Sequence, residues 1–183
     1  MLVPLRWAEG ALRVVVTERA AHLANHGGEY SFPGGKPEDG DASIEATALR
    51  EAREEIGLEG ARVLGRLSSL PLYTSDYRLE PFVAAVPRAA TLVPEPGEVA
   101  SIAELDVGEL LARESWPGIP WTRAGVTRHS PCFELRPGAW REGLVYGGTA
   151  HALFELLEVL APLFGRPVPP VREASFGWGD VLP

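Results

Sequence analysis

Three glutamates crowd one short stretch of this chain, Arg50-Glu51-Ala52-Arg53-Glu54-Glu55. Glu51 and Glu55 stand four residues apart, so on a helix their side chains are neighbours on one face. Two like charges this close repel, and burial raises the cost. A divalent cation offsets both penalties. Hard oxygen donors suit Mg²⁺ or Mn²⁺, which commonly take few protein carboxylates and share the phosphate oxygens of a substrate. Just upstream, Gly34-Gly35 follows Phe32-Pro33, and glycine lets a backbone carbonyl approach a ligand closely.

The element that must hold these groups is a helix closing at Gly57, with Asp41 and Ser43 as the candidates for its N-cap. Alanines at 42, 46, 48 and 52 favour it. At the helical period Ile44, Ala48, Leu49, Ala52 and Ile56 form an apolar stripe. Glu51 and Glu55 fall roughly 20° either side of Ile44 at that period, within or beside the stripe. Glu54 lies further round, and Arg50 and Arg53 point largely away. An isolated run of this kind is ordinarily a solvated face braced by pairs such as Arg50 with Glu54. Here the glycine pair, the polar turn and the helix arrive together.

The whole chain has the size and make-up of one globular domain: 183 residues, 45% hydrophobic, 23% charged. Its net charge is −8, and no basic run suggests a nucleic-acid track. An acidic protein that binds an anionic substrate needs a local metal or arginine cluster, which agrees with the helix just described. The single cysteine, Cys132, excludes an intramolecular disulfide framework. No signal peptide and no long apolar run is visible, so a cytoplasmic location without membrane association is expected.

Ala11 to Thr17 reads as a buried strand. Glu18 to Tyr30 is a polar connection carrying His22 and His26, either loop histidines or, for His26, a hydrogen bond to substrate. Ala61 to Leu67 reads as a strand, Leu70 to Arg78 as a turn region, and Leu79 to Val86 as a strand weakened by Pro81. Leu92 to Glu98 is a loop bearing Glu95 and Glu98. Val99 to Leu105 reads as a short strand and Asp106 to Arg113 as a short helix. Ser115 to Gly143 shows no clear period, with a short strand over Cys132 to Leu135. Thr149 to Phe164 reads as an amphipathic helix capped by Thr149. These elements divide the chain into a domain over 1–165 and a proline-rich tail over 166–183, extended on the surface or disordered.

The stretch from Gly35 to Leu58 resembles the Nudix box, G-x5-E-x7-R-E-U-x-E-E-x-G-U, in Gly35, Arg50-Glu51, Glu54-Glu55 and Gly57-Leu58. Asp41 replaces the first glutamate, eight residues rather than seven separate it from Arg50, and Ala52 takes the bulky aliphatic position. The same variations characterise the coenzyme A diphosphatase group of Nudix hydrolases, whose box resembles Asp41, Ser43 and Thr47-Ala48-Leu49-Arg50-Glu51-Ala52 here. Its upstream motif is similar to Val15-Val16-Thr17-Glu18-Arg19 followed by Leu23 through Gly35, and its W-G-x-T-A helix start to Tyr146-Gly147-Gly148-Thr149-Ala150. The arginine usual after the leucine of the upstream motif is Ala24 in this chain.

That resemblance implies an α/β fold, an α/β/α sandwich with a mixed sheet between helices. It implies Mg²⁺- or Mn²⁺-dependent hydrolysis of a nucleoside diphosphate linkage. The substrate expected is coenzyme A or a derivative, with ADP-ribose or NADH, or binding without turnover, as alternatives. Glu51, Glu54, Glu55 and the carbonyls of Gly34 or Gly35 are the implied metal ligands. Glu54, Glu55 and Glu98 are the implied catalytic groups, Glu98 being otherwise a surface-loop acid. Arg19, His26 and Phe32 are the implied substrate contacts, and Arg50 supports the glutamates. The partner is the small-molecule substrate, and the oligomeric state, a homodimer included, is left open.

Overall fold

Continuous buried runs, Leu2 to Leu5 and Val14 to Thr17, make the first two strands. β1 (Leu2–Ala8) and β2 (Ala11–Arg19) pair antiparallel. Glu9 and Gly10, with φ of 51° and 81°, form the two-residue turn between them, the geometry that matches strand twist. The computed structural model describes residues 1–71, 77–136 and 138–182. Its contacts divide the chain into two units, Met1–Gly108 and Glu109–Pro183.

In the first unit β3 (Tyr30–Ser31) and α1 (Ile44–Ile56) follow, then β4 (Arg62–Arg66), β5 (Leu70–Pro71), β6 (Arg78–Leu79), β7 (Phe82–Ala85) and β8 (Val99–Asp106). Six strands form one mixed sheet in the order β3-β2-β1-β7-β4, with β8 also on β2. The β1–β7 pair is parallel and the other pairs are antiparallel. β2 is the spine of this sheet. β8 runs beside it from Arg13 to Arg19, with an irregularity between Glu18 and Arg19. The mixed α/β architecture expected from the resemblance is therefore present. Pro81 does interrupt the strand expected over Leu79 to Val86, leaving β6 and β7 either side of Glu80-Pro81. The turn expected over Leu70 to Arg78 includes residues 72–76, which lie outside the described residues, while its flanks β5 and β6 pair antiparallel.

α1 packs on this sheet through Ala48, Ala52 and Ile56, which meet Leu2, Val15, Phe82 and Ala84. Burying Ile56 alone contributes about 1.5–3 kcal/mol. Ser43 caps the helix, its hydroxyl accepting from the Ala46 N–H at 3.1 Å. Gly57 ends it in the left-handed conformation, φ 65°, where a side chain would be strained. Two expectations for this helix are corrected. Ile44 is 44% exposed. Its direction fits the stripe, but it is the first helical residue, a full turn before the packed segment begins. Arg50 does not point away to solvent either; its guanidinium is drawn in by acidic partners.

The second unit opens as α2 (Val107–Leu111) ends, and continues with β9 (Trp116–Arg123), β10 (Val126–Pro131), β11 (Phe133–Glu134), β12 (Leu144–Val145), α3 (Gly147–Leu160), β13 (Val171–Glu173) and α4 (Trp178–Val181). β9 and β10 form a hairpin closed by Ala124 and Gly125, both with positive φ. β13 adds parallel to β9, so part of the tail is a strand. Phe176 is buried with Ile119, Cys132 and Leu144 and stacks on Trp140 at 4.6 Å. α3 begins two residues earlier than expected. Its N-cap is Tyr146, with no side-chain capping bond, and Thr149 lies inside the first turn. Gly147, at φ 61°, supplies the change of direction that starts it.

Candidate active site

α1 sorts its polar residues onto two faces. Thr47, Arg50, Glu51 and Glu54 follow the spacing of one stripe, and Glu55 joins Ala48, Ala52 and Ile56 on the core side. The two stripes meet different surroundings.

On the first, Arg50 is the centre. Its Nε and Nη2 each donate to Asp41, at 3.1 Å. Nη1 donates to Glu54 at 2.7 Å, and Nη2 also reaches the Lys36 carbonyl at 3.1 Å and Glu51 at 3.0 Å. The planar fork suits such bidentate pairing. Asp41 accepts two more bonds, from the Glu38 N–H and the Thr47 hydroxyl, both 2.9 Å. Arg50 and these donors hold its carboxyl down to about 2. Asp41, first of all, together with Glu54 and Glu51, pushes the Arg50 guanidinium up. Asp41 is thus the clamp of the site, a role that reading it as a helix cap missed. Its place opposite the arginine of the box was the available signal.

On the core side Glu55 is 4% exposed. Its Oε1 accepts from the Gly34 N–H at 3.4 Å. Burial pushes the carboxyl up to about 7; Glu51 and Glu98 push the same way, while the Gly34 bond and the charge of Arg19 oppose them. Burial likewise raises Glu51, against the pull of Arg50, with Glu54 and Glu98 adding to the rise. The Glu95 N–H donates to the Glu55 carbonyl at 2.9 Å, and the Ala20 N–H to the Glu98 carbonyl at 2.8 Å. These bonds tie the acidic loop to α1 and to the end of β2.

The glycine pair is packed as closely as its residue type allows. A Cβ at Gly35 would stand 2.6 Å from Cδ of Glu51, and one at Gly34 would stand 2.6 Å from Cα of Met1. The Leu2 N–H donates to the Pro33 carbonyl at 2.8 Å, which fixes the loop against β1. The Met1 ammonium donates to the Glu80 carbonyl at 3.1 Å. Burial lowers its pKa, while Glu51, Glu55 and Glu80 pull the other way.

The structure therefore brings together Glu51, Glu55, Gly34, Gly35 and Arg50, with Glu98 and Arg19 near enough to act on Glu55. Glu54 is half exposed and pairs with Arg50. Arg19 Nε is buried without a hydrogen-bond partner. His26 is not drawn in. It is largely exposed, has φ 59°, and pairs with Glu29 at 3.0 Å. Phe32 is 3% exposed, so its ring is a core residue.

Among the described residues no three His, Cys, Asp or Glu side chains are already gathered to hold an ion. Glu51 and Glu54 face Arg50 instead. The donor set nonetheless fits a hard cation: only oxygens, a carboxylate raised first by burial and then by its like-charged neighbours, and a backbone with no Cβ in the way.

Comparisons with known proteins bear on the family of the chain. Residues 2–124 match the NUDIX domain family. A protein of Photorhabdus laumondii named as an uncharacterized Nudix hydrolase NudL is 35% identical over 148 residues, covering 79% of this chain and 75% of its own length. A NudL of Yersinia pestis is 36% identical over 115 residues, 62% of this chain and 57% of that protein. Among solved structures, an Ap4A hydrolase of C. elegans in a binary complex aligns with TM-score 0.48 and 17% identity, over 58% of this chain and 77% of that one. The NUDIX domain of Shewanella oneidensis NrtR with ADP ribose aligns with TM-score 0.47 and 18% identity, over 60% and 72%. Among the described residues no helix is long and apolar enough to cross a membrane. Nudix hydrolases generally use divalent cations. Matched over more than half its length, and with a relative above a third identical, this chain belongs to the Nudix family and is a Nudix hydrolase, an enzyme acting on nucleoside diphosphate derivatives.

Proposed function

We propose that the chain cleaves the diphosphate of coenzyme A, or of a derivative, into 3′,5′-ADP and 4′-phosphopantetheine. The observation that carries the diphosphatase part is Glu55, a buried carboxylate raised to about 7 beside Glu51, Glu98 and the closely packed Gly34-Gly35 backbone. The coenzyme A part rests on the upstream stretch from Val15 to Gly35.

In this reading Glu51 and Glu55 would hold Mg²⁺ or Mn²⁺, and a carbonyl of Gly34 or Gly35 would be a further donor. A bound divalent cation supplies charge neutralisation on the diphosphate and lowers the pKa of a bound water. Glu54 or Glu98 takes the proton of the attacking water. Arg50 orients Glu51 and Glu54 through the bonds described. Arg19, with its unpartnered Nε, offers the chain's own positive charge to the substrate phosphates. His26 bonds substrate if it leaves Glu29. Phe32 acts by seating Pro33 and the glycines.

The test is product analysis by chromatography after incubation with Mg²⁺ or Mn²⁺ and, separately, coenzyme A, ADP-ribose and NADH. Formation of 3′,5′-ADP from coenzyme A well above the other two rates is the expected result. Faster cleavage of ADP-ribose would overturn the coenzyme A reading and leave the reaction class standing. Ala24, which departs from the group's upstream motif, is the residue that favours that second reading.

A further inference from the structure

The Asp41 clamp contains one member that is neither charged nor exposed. Thr47 is 3% exposed, on the stripe it shares with Arg50, Glu51 and Glu54. Its hydroxyl lies 2.9 Å from Asp41 Oδ2 and 3.2 Å from the Ser43 carbonyl. A hydroxyl has one proton to donate, and the shorter contact is to the carboxylate. Asp41 then has four donors: Glu38 N–H, Thr47 Oγ1, Arg50 Nε and Arg50 Nη2. Three of the four fall on Oδ2, and Arg50 Nε alone on Oδ1. Without the Thr47 bond, Oδ2 keeps Glu38 N–H and Arg50 Nη2, and α1 holds the carboxylate through the Arg50 fork alone.

We infer that Thr47 is a positioning residue for the reaction: its hydroxyl fixes Asp41, Asp41 fixes the plane of the Arg50 fork, and the fork sets Glu51 and Glu54. The inference rests on the proposed function only in taking those two glutamates as the cation-holding and proton-accepting groups. The chain of contacts is short, and each link is a hydrogen bond or ion pair within 3.1 Å. The longer spacer before Arg50 also acquires a purpose. It lets the shorter aspartate fold back on the turn, with Glu38 N–H on one side and Thr47 on the other.

The experiment compares wild type, Thr47→Val, Thr47→Ser, Asp41→Asn and the double variant Thr47→Val with Asp41→Asn. Thermal unfolding first establishes that each is folded. Mn²⁺ binding to the protein alone is then followed by the EPR signal of free Mn²⁺, and kcat and KM are measured on the substrate that wild type cleaves best. Thr47→Val keeps the shape and removes the hydroxyl. It is expected to weaken Mn²⁺ binding and lower kcat by about tenfold, the low end for groups that orient metal ligands, with KM little changed. Thr47→Ser should restore both. In an Asp41→Asn background Thr47→Val should add nothing, because the two act as one unit. Wild-type Mn²⁺ binding and turnover in Thr47→Val would overturn the inference. So would a Thr47→Ser as impaired as Thr47→Val, which would make the methyl group, not the hydroxyl, the contribution. Independent, additive losses in the double variant would break the link through Asp41. Failure of wild type to cleave any nucleoside diphosphate would instead overturn the proposed function, and the Mn²⁺ titrations would still decide the Thr47 question.

Discussion

The Asp41 turn and the Glu55 crevice treat the same chemical group in opposite ways. Asp41 has four donors, an arginine fork among them, and is held down to about 2. Glu55 has one long bond from Gly34, two acidic neighbours and almost no water, and is pushed up to about 7. Both belong to one helix and the turn that enters it. A carboxylate held by an arginine fork and two further donors serves as framework. An undersatisfied one gains from any cation that reaches it. The difference separates the parts of the motif that build the site from the parts that react.

The strongest way to break that distinction is Glu55→Gln. The amide keeps the shape and removes the charge, so the protein should stay folded. Turnover should fall by more than the ~100-fold that loss of a merely orienting partner can cost. Near wild-type kcat in the folded variant would take Glu55 out of the mechanism.

A pH series in the absence of metal sharpens the same contrast. Glu55 sits above its ordinary value of 4.5, so its favourable share of stability is complete below pH 4.5 and is lost as pH rises through about 7. Asp41 sits below its ordinary 3.8, so its share is complete above that value and is lost as pH falls through about 2. The metal-free protein should therefore lose roughly 5 °C of thermal midpoint between pH 5 and pH 8. Mg²⁺ should return it, and Glu55→Gln should flatten the slope. A midpoint that rises with pH over this window would contradict the assignment.

The smallest effect belongs to the framework side. Ser43→Ala removes the N-cap bond to Ala46 and should cost about 1 kcal/mol in denaturant unfolding. Turnover per folded molecule should hardly change. A loss of activity larger than the loss of stability would show that the cap also steadies the Asp41 turn.

Much of this site could be read from residue spacing. The four-residue interval of Glu51 and Glu55, the glycine pair and the caps at Ser43 and Gly57 are all local, and the helix period places them. The Asp41 clamp was harder, because it depends on how the turn folds back from Glu38, and a short acid before a helix reads equally well as a cap. Glu98 was legible only as an acid in a loop. Its nearness to Glu55 comes from β8 pairing with β2, across some eighty residues of intervening chain. In the second unit the β9–β10 hairpin was hidden by Pro117 and Pro120, which disguise a strand. The turn at Ala124-Gly125 was the one clear sign of it. Tyr146 could not be recognised as a cap because its side chain makes no capping bond.

The pairing of β2 with β8 also sets how far apart in the chain the acidic groups originate. The hydrogen bonds of α1, and the spacing of Glu51 and Glu55 on it, are local to its 13 residues. The loop bearing Glu98 reaches them only when β8 closes on β2, from Arg13↔Asp106 to Arg19↔Val99. Contacts so distant in sequence form late and slowly. The third carboxylate thus depends on the strand of the sheet that comes last in the chain, while the other two depend on one helix.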